Sequence, residues 1–224
     1  MTGRWAFSEQ DSTCAVLTIT YQTDQMHHLY FYCKRGLAGF KVLDYNSLQN
    51  HLGKLGPDLL KAAMLNCIDQ LSGETLDKLK TDHESVLYGA EGLTYKQWKV
   101  ITDRSQRCNI TSFLMNQEKF SGIGNYLKAE ILFACRISPK RTMGSLTEQE
   151  NQMLWIISLT KIWLSYWSNG LTISDYWDPE GKAGVFPMVV YGKDVYKENG
   201  LQYVIQRDKF ADGRTTHWVP ELQH

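Results

Sequence analysis

The spacing of apolar residues changes twice along the chain. Residues 1–46 contain two runs rich in β-branched and aromatic residues, CAVLTITY and HHLYFYC, which predict β-strands. Residues 47–180 follow the period of 3.6 that is typical of amphipathic helices. From residue 181 to residue 224 the helical pattern is replaced by the short strand-like runs VVYGKDVY, LQYVIQRD and GRTTHWV. The pattern therefore predicts an α+β multi-domain protein with three parts, 1–46, 47–180 and 181–224.

Cap and turn residues support these boundaries. Thr94 with Gln97 and Thr147 with Glu150 have the spacing of capping boxes, in which each side chain hydrogen-bonds the backbone N–H of the other residue. Two dipeptides are typical of tight turns between antiparallel strands. They are Asn199-Gly200 and Asp212-Gly213.

Composition narrows the class of protein. The 224 residues are 43% hydrophobic and 12% aromatic, which predicts packed cores and excludes a disordered chain. The formal net charge is zero, which does not exclude a polyanionic partner because binding depends on a local patch of charge. Five scattered cysteines without a CxxC pair predict free thiols in a reducing compartment. With no signal-peptide pattern and no apolar run of spanning length, we expect a soluble intracellular protein that does not act at a membrane.

The candidate chemistry lies in the stretch NQEKFSGIGNYLKAEILF. Gly122 and Gly124 interrupt two helical stretches, and Asn125 and Lys128 lie at the start of the second. A glycine turn that leads into a helix offers unpaired backbone N–H groups and a favourable dipole to an anion. We expect the Asn125 amide and the Lys128 ammonium to add to such an anion-binding site. A plain helix-helix turn has the same pattern, and the glycines alone favour that structural alternative.

Five blocks spread over nearly the whole chain carry a family resemblance. They are MTGRW, HLGKLGPDLL, SGIGNYLKAEILFACRISPKR, DPEGKAGVFPMVVYGKD and DGRTTHWVPELQ. In this order they resemble the Fpg/Nei family of DNA glycosylases, which excise oxidised bases, and most closely its Nei-like eukaryotic and viral branch. The resemblance implies the remainder of an N-terminal β-sandwich at 1–46, a helical helix-two-turn-helix (H2TH) DNA-binding domain at 47–180 and a β-hairpin finger at 181–224.

The resemblance assigns DNA contacts residue by residue. It implies that Asn125 and Arg214 bind the phosphate beside a flipped nucleotide, and that Gly122 and Gly124 let the backbone approach it. A guanidinium suits such a clamp because it can bond phosphate oxygens in pairs. Lys182 matches a lysine near the extruded base. Each residue also has a purely structural alternative: a helix cap for Asn125, a solvated turn residue for Arg214 and a charged loop residue for Lys182.

Three further residues match positions that fill the space left by a flipped base, which is needed because extrusion loses stacking energy. Met1 matches the intercalating methionine and Arg35 the arginine that pairs with the orphaned base. Leu37 stands where the family often has a phenylalanine wedge. The segment KRGLAG equally fits a simple hairpin turn.

The finger departs from the zinc-binding pattern of many members. Val219 and Leu222 occupy the positions of the second cysteine pair, and no cysteine follows Cys135. His217 is a lone histidine and cannot complete a four-ligand site. We therefore expect no metal and no cofactor, and a zincless finger held by strand pairing and aromatic packing. The aromatic residues are Tyr191, Tyr203 and Trp218.

The catalytic residues that the family implies are absent. An N-terminal proline whose amine attacks the sugar, the glutamate after it and a lysine of the sandwich have no counterpart here. The sequence thus predicts no catalytic residue in this chain. By resemblance Met1 lies inside the sandwich, so we expect Met1 to be an internal methionine of a longer reading frame.

Two hypotheses of different class follow. The first is a DNA glycosylase and AP lyase whose catalytic N-terminus lies outside this chain, acting as a monomer on double-stranded DNA with oxidised bases or abasic sites. We expect it at DNA, in the nucleus or a viral factory for a eukaryotic or viral host and otherwise in the cytoplasm. The second is a non-catalytic DNA-binding protein of the same descent. A third, an RNA-binding module with a glycine turn, is disfavoured by Arg214 and the EGKAG loop.

Overall fold

The computed structural model describes residues 4–6, 15–23, 26–32, 41–67, 93–168 and 185–224. Its contacts divide the chain into two units. One consists of residues 1–47 and 165–187, and the other of residues 48–164 and 188–224. The second unit joins most of the helical segment to the C-terminal hairpins, and the division into three domains stays a prediction.

The first unit contains a three-stranded antiparallel sheet of order β1-β3-β2. Its strands are β1 Arg4–Ala6, β2 Ala15–Gln22 and β3 Met26–Tyr32. The pairing of β2 with β3 shifts by one residue near Ala15, where a bulge interrupts the ladder. Both strands predicted from CAVLTITY and HHLYFYC are confirmed.

Six α-helices are described. They are α1 Tyr45–Leu52, α2 Leu59–Cys67, α3 Tyr95–Asp103, α4 Ile110–Met115, α5 Asn125–Ala134 and α6 Glu148–Trp167, with a 3-10 turn at Met143–Ser145. Both predicted capping boxes are confirmed. Thr94 donates its N–H to Gln97 at 2.8 Å and Thr147 donates its N–H to Glu150 at 2.7 Å, and both pairs make the reciprocal bond. Within the described ranges, no helix is both long and apolar enough to cross a bilayer.

Trp98 is the centre of the helical core. Its ring lies 5.4 Å from Phe113, 5.0 Å from Phe120 and 5.4 Å from Trp155, measured between centroids. Its indole N–H donates to Asn151 at 3.0 Å, so the one polar atom of this buried side chain is satisfied. Because Phe120 belongs to the loop between α4 and α5, this cluster fixes the loop that ends in the glycine turn.

Two antiparallel hairpins complete the second unit. They consist of β4 Val195–Glu198 with β5 Leu201–Val204 and of β6 Gln206–Lys209 with β7 Thr215–Trp218. Asn199 and Gly200 have φ of 52° and 78°, which is the pattern of the tight turn predicted there, and Gly213 has φ of 70°. Apolar residues of the hairpin region pack on α5. The cluster contains Ala129, Phe133, Val190, Ile205 and Val219, with Tyr191 and Tyr203 at its edge.

Candidate nucleic-acid interface

The turn before α5 requires glycine at one position and has a helix cap without a side chain at the other. Gly122 has φ of 115°, a conformation that side-chain-bearing residues rarely adopt. Gly124 caps α5 with extended backbone and provides no side-chain hydrogen bond to the first turn of the helix. The cap residue therefore supplies no side-chain acceptor to the first turn of α5, where the positive end of the helix dipole lies.

Residues that the sequence did not single out hold this turn in place. The side-chain amide of Gln117 donates to the carbonyl of Ile123 at 2.9 Å and accepts the N–H of Gly122 at 3.3 Å. Gly56 approaches so closely that an added Cβ would lie 2.4 Å from the carbonyl carbon of Lys119. The block HLGKLGPDLL thus packs its glycine directly against the loop, a contact that local periodicity does not indicate.

Asn125 connects the start of α5 to the second hairpin. Its side-chain nitrogen donates to the backbone carbonyl of Thr215 at 3.0 Å, across 90 residues of sequence. Its side-chain oxygen is buried and accepts no hydrogen bond from any described residue. The Thr215 carbonyl fixes the orientation of the amide, because a flipped amide would bring two oxygens together. Since an amide nitrogen carries two hydrogens, one donor remains for a ligand.

Arg214 lies next to Thr215, at the turn of the second hairpin. Its backbone N–H donates to the Asp212 carboxylate at 3.3 Å, and its side chain is exposed. Within the described part of the chain, no hydrogen bond or ion pair engages its guanidinium. The Asn125–Thr215 bond therefore brings the helix start and an unneutralised cation together, as the sequence analysis expects.

Lys128, which its position after the glycine turn predicts to be a DNA-binding residue, is not exposed at the start of α5. Its side chain is completely buried and forms an ion pair with Asp212, which is itself 3% exposed. Burial lowers the pKa of the Lys128 ammonium, the Asp212 carboxylate opposes this effect, and the positive charge of Arg214 adds to it. The structure therefore brings Lys128 to the inner side of the hairpin turn and not to the outer side that carries Arg214.

Glu130 makes a structural contact that the sequence did not predict. This fully buried carboxylate accepts the N–H of Val189 at 3.0 Å and the N–H groups of Val190 and Tyr191 at 2.9 Å each. Three donors offset the cost of burying the charge. Together, Asn125, Lys128 and Glu130 make α5 the element to which the hairpins are attached.

The positions at which the family often has zinc ligands have other roles here. Val219 is fully buried in the apolar cluster and Leu222 packs at its edge. His217 is 9% exposed, its ring lies 4.6 Å from that of Tyr191, and burial lowers its pKa. No group of three or more metal-ligating side chains occurs among the described residues.

Four candidate residues lie outside the described residues, and their assigned roles stay predictions. They are Met1, Arg35, Leu37 and Lys182.

Comparison with known proteins places these features in a family. Residues 91–162 match the H2TH domain of formamidopyrimidine-DNA glycosylase. The formamidopyrimidine-DNA glycosylase of Carboxydothermus hydrogenoformans is 35% identical over 124 residues, which cover 54% of this chain and 46% of the relative. The chain spans about half the length of the curated relatives that it matches.

Solved structures share the fold. A complex of Lactococcus lactis Fpg with DNA containing an abasic site aligns with 100% of this chain and 72% of its own, with a TM-score of 0.70 and 19% identity. The Fpg (MutM) protein of Thermus thermophilus aligns with 100% of this chain and 73% of its own, with a TM-score of 0.69 and 23% identity. The H2TH match covers the glycine turn and the helix that holds the hairpins, so this part of the chain is an H2TH domain of the kind found in the Fpg/Nei family.

Proposed function

We propose that this chain binds the sugar-phosphate backbone of double-stranded DNA, and that one phosphate is held by the side chains of Asn125 and Arg214 and by the backbone N–H groups of residues 123–125. The observation that carries the proposal is the hydrogen bond from Asn125 to the carbonyl of Thr215, the residue after Arg214. This bond brings together three kinds of group that donate hydrogen bonds to phosphate oxygens: a helix N-terminus, an amide and a guanidinium. None of these donors reads base identity, so the contact serves any sequence.

The proposal extends to the whole protein as a DNA glycosylase with AP lyase activity on oxidised bases, acting as a monomer at DNA inside the cell. The likeness to curated proteins named formamidopyrimidine-DNA glycosylase supports it. So does the fold shared with an Fpg solved with DNA that contains an abasic site. In this proposal Lys182 lies near the extruded base, and the attacking amine belongs to a segment that this chain does not contain. Met1, Arg35 and Leu37 fill the space that the base leaves.

The DNA-binding part is tested with the 224-residue chain and a fluorescent duplex that contains a tetrahydrofuran abasic analogue. Arg214→Ala is expected to weaken binding by roughly tenfold or more, because a charge-assisted bond to phosphate is lost. It should also lower the slope of log K against log salt by about one, in damaged and undamaged duplex alike.

The matched control is Lys209→Ala, which removes an exposed cation from strand β6 of the same hairpin. An Arg214→Ala variant that binds as tightly as the Lys209→Ala variant would remove Arg214 from the clamp.

The enzymatic part is tested with the natively expressed protein on the same kind of damaged duplex, with borohydride present. A covalent protein–DNA adduct supports the glycosylase and lyase, since borohydride reduces the imine that an attacking amine forms. Binding without an adduct supports the second candidate, a non-catalytic DNA-binding protein.

A further inference from the structure

The turn that carries Arg214 is held from both sides by one helix. Asp212, two residues before Arg214, is paired with Lys128 of α5. Thr215, the residue after Arg214, accepts the side-chain N–H of Asn125 from the same helix. Lys128 and Asn125 are three residues apart, so they lie on one face of α5.

The two oxygens of Asp212 connect the buried ammonium to the backbone of Arg214. One oxygen contacts Nζ of Lys128, and the other accepts the N–H of Arg214 at 3.3 Å. Nothing lies within 4 Å of the place where Gly213 would carry a Cβ, so the tip of the turn has no packing of its own. Apart from the hydrogen bond from the Gly213 N–H to the Phe210 carbonyl at 2.9 Å, its conformation therefore depends on the bonds that Asp212 and Thr215 make.

We propose that Lys128 is a positioning residue: through Asp212 it fixes the turn 212–215 and so sets where the Arg214 guanidinium stands relative to Asn125 and the start of α5. The DNA-binding half of this inference rests on the proposed function. A buried ion pair contributes little net stability, because desolvation of both charges offsets their attraction. The pair instead fixes one geometry of the turn. An arginine that is held near its ligand in this way loses less conformational freedom when it binds.

Two sets of variants separate positioning from simple stability. Lys128→Met removes the ammonium but leaves a buried carboxylate, so it carries a risk of misfolding. The double variant Lys128→Met with Asp212→Asn neutralises both partners and keeps an oxygen for the N–H of Arg214. The control is Lys99→Met with Asp103→Asn, which neutralises the ion pair at 2.7 Å on the exposed face of α3 and also removes the contact of Lys99 with Glu148 at 3.2 Å. Thermal melts identify the variants that remain folded.

The first measurement needs no DNA. Amide hydrogen exchange followed by NMR should show exchange at Arg214 at least about tenfold faster in the double variant, because its acceptor is no longer anchored. Exchange in strand β5 should stay unchanged, and so should exchange at Arg214 in the control variant. Unchanged exchange at Arg214 in the folded double variant would overturn the proposal.

The second measurement is a double-mutant cycle in binding to the duplex with the abasic analogue. With Arg214 present, the double variant should lose about tenfold in affinity, and in the Arg214→Ala background no more than about twofold. Losses of equal size in both backgrounds would overturn the positioning role, because Lys128 would then act without Arg214. If the unmodified chain fails to bind the duplex, the proposed function fails, and the exchange measurement still decides whether Lys128 holds the turn.

Discussion

Glu130 in α5 accepts the backbone N–H of Val190 at 2.9 Å, so a helix side chain holds the chain segment that leads into the hairpins. The same carboxylate binds the N–H groups of the two neighbouring residues, and none of it is exposed. Charge-assisted hydrogen bonds from three N–H donors satisfy this buried carboxylate. This contact attaches the segment before β4 to the helix that begins at the glycine turn.

Glu130→Gln is expected to lower the free energy of unfolding by about 3 kcal/mol. The amide has one acceptor oxygen where the carboxylate has two, and its NH₂ group would face backbone N–H donors. Urea denaturation measures the loss. The matched control is Glu118→Gln in the loop before the glycine turn, where the side chain is exposed and a change within about 0.5 kcal/mol is expected. Equal stability of the two variants would contradict the anchoring role of Glu130.

The sequence predicted the local features of the fold well. The Thr94–Gln97 capping box depends on residues three positions apart, and the turn at Asn199-Gly200 depends on adjacent residues. Short-range patterns of this kind are visible in one sequence because the interacting groups are close along the chain. The strands predicted from CAVLTITY, HHLYFYC and GRTTHWV are confirmed. VVYGKDVY, however, contains only the first two residues of β4, and LQYVIQRD is divided between β5 and β6. The residues directly before the glycine turn, predicted to be helical, form a loop after α4, because tertiary packing overrides the local pattern there.

The candidate site was predicted in part. Asn125 was singled out by its position after the glycine turn, whereas Arg214 was found only through family resemblance. The two residues are far apart in the sequence, and no local pattern connects them. The burial of Lys128 was not predicted, because its partner Asp212 is 84 residues away. The approach of Gly56 to Lys119 likewise depends on tertiary packing and has no periodic signal.

Gly122→Ala and Gly124→Ala are expected to differ in stability although the glycines are two residues apart. At Gly122 an added Cβ meets its nearest atoms at 3.8 Å, so the cost is backbone strain at φ of 115°, about 2 kcal/mol. Gly124 has φ of −104°, which alanine adopts freely. Alanine is a poorer helix cap than glycine, but it also reduces the conformational freedom of the unfolded chain, and the two effects oppose each other. We therefore expect the free energy of unfolding to change by about 0.5 kcal/mol or less. Urea denaturation of both variants checks this, and a Gly124→Ala variant as unstable as Gly122→Ala would contradict it.

Cys135 is expected to resist alkylation until the protein unfolds. Burial raises the pKa of its thiol to about 12, so near pH 8 the reactive thiolate is roughly one part in ten thousand. Iodoacetamide labelling followed by peptide mass mapping should leave Cys135 unmodified in the native protein and modify it in concentrated urea. Cys108, which is only half-buried, serves as the internal comparison. Labelling of Cys135 in the native protein as fast as that of Cys108 would show that the thiol is reachable without unfolding.

Glu150→Gln is expected to change how the stability of the helical region depends on pH. The Arg141 guanidinium, which binds both carboxylate oxygens, lowers the pKa of Glu150 to about 2 from 4.5, with the Thr147 N–H adding to the effect. Since the folded protein holds this proton less tightly than the unfolded chain, the stabilisation is complete above about pH 4.5 and is lost as the pH falls toward about 2. The substitution should therefore cost about 1 kcal/mol at neutral pH, a value limited by the partial exposure of the pair.

Urea denaturation at a series of pH values should show this difference shrinking through the acidic window, whereas Glu221→Gln, a change at an exposed glutamate, should give a constant small difference. The control separates the loss of the Glu150 charge from the general effect of removing one carboxylate from the protein. A Glu150→Gln difference that is the same at neutral and acidic pH would mean that the charge of Glu150 does not contribute to the cap.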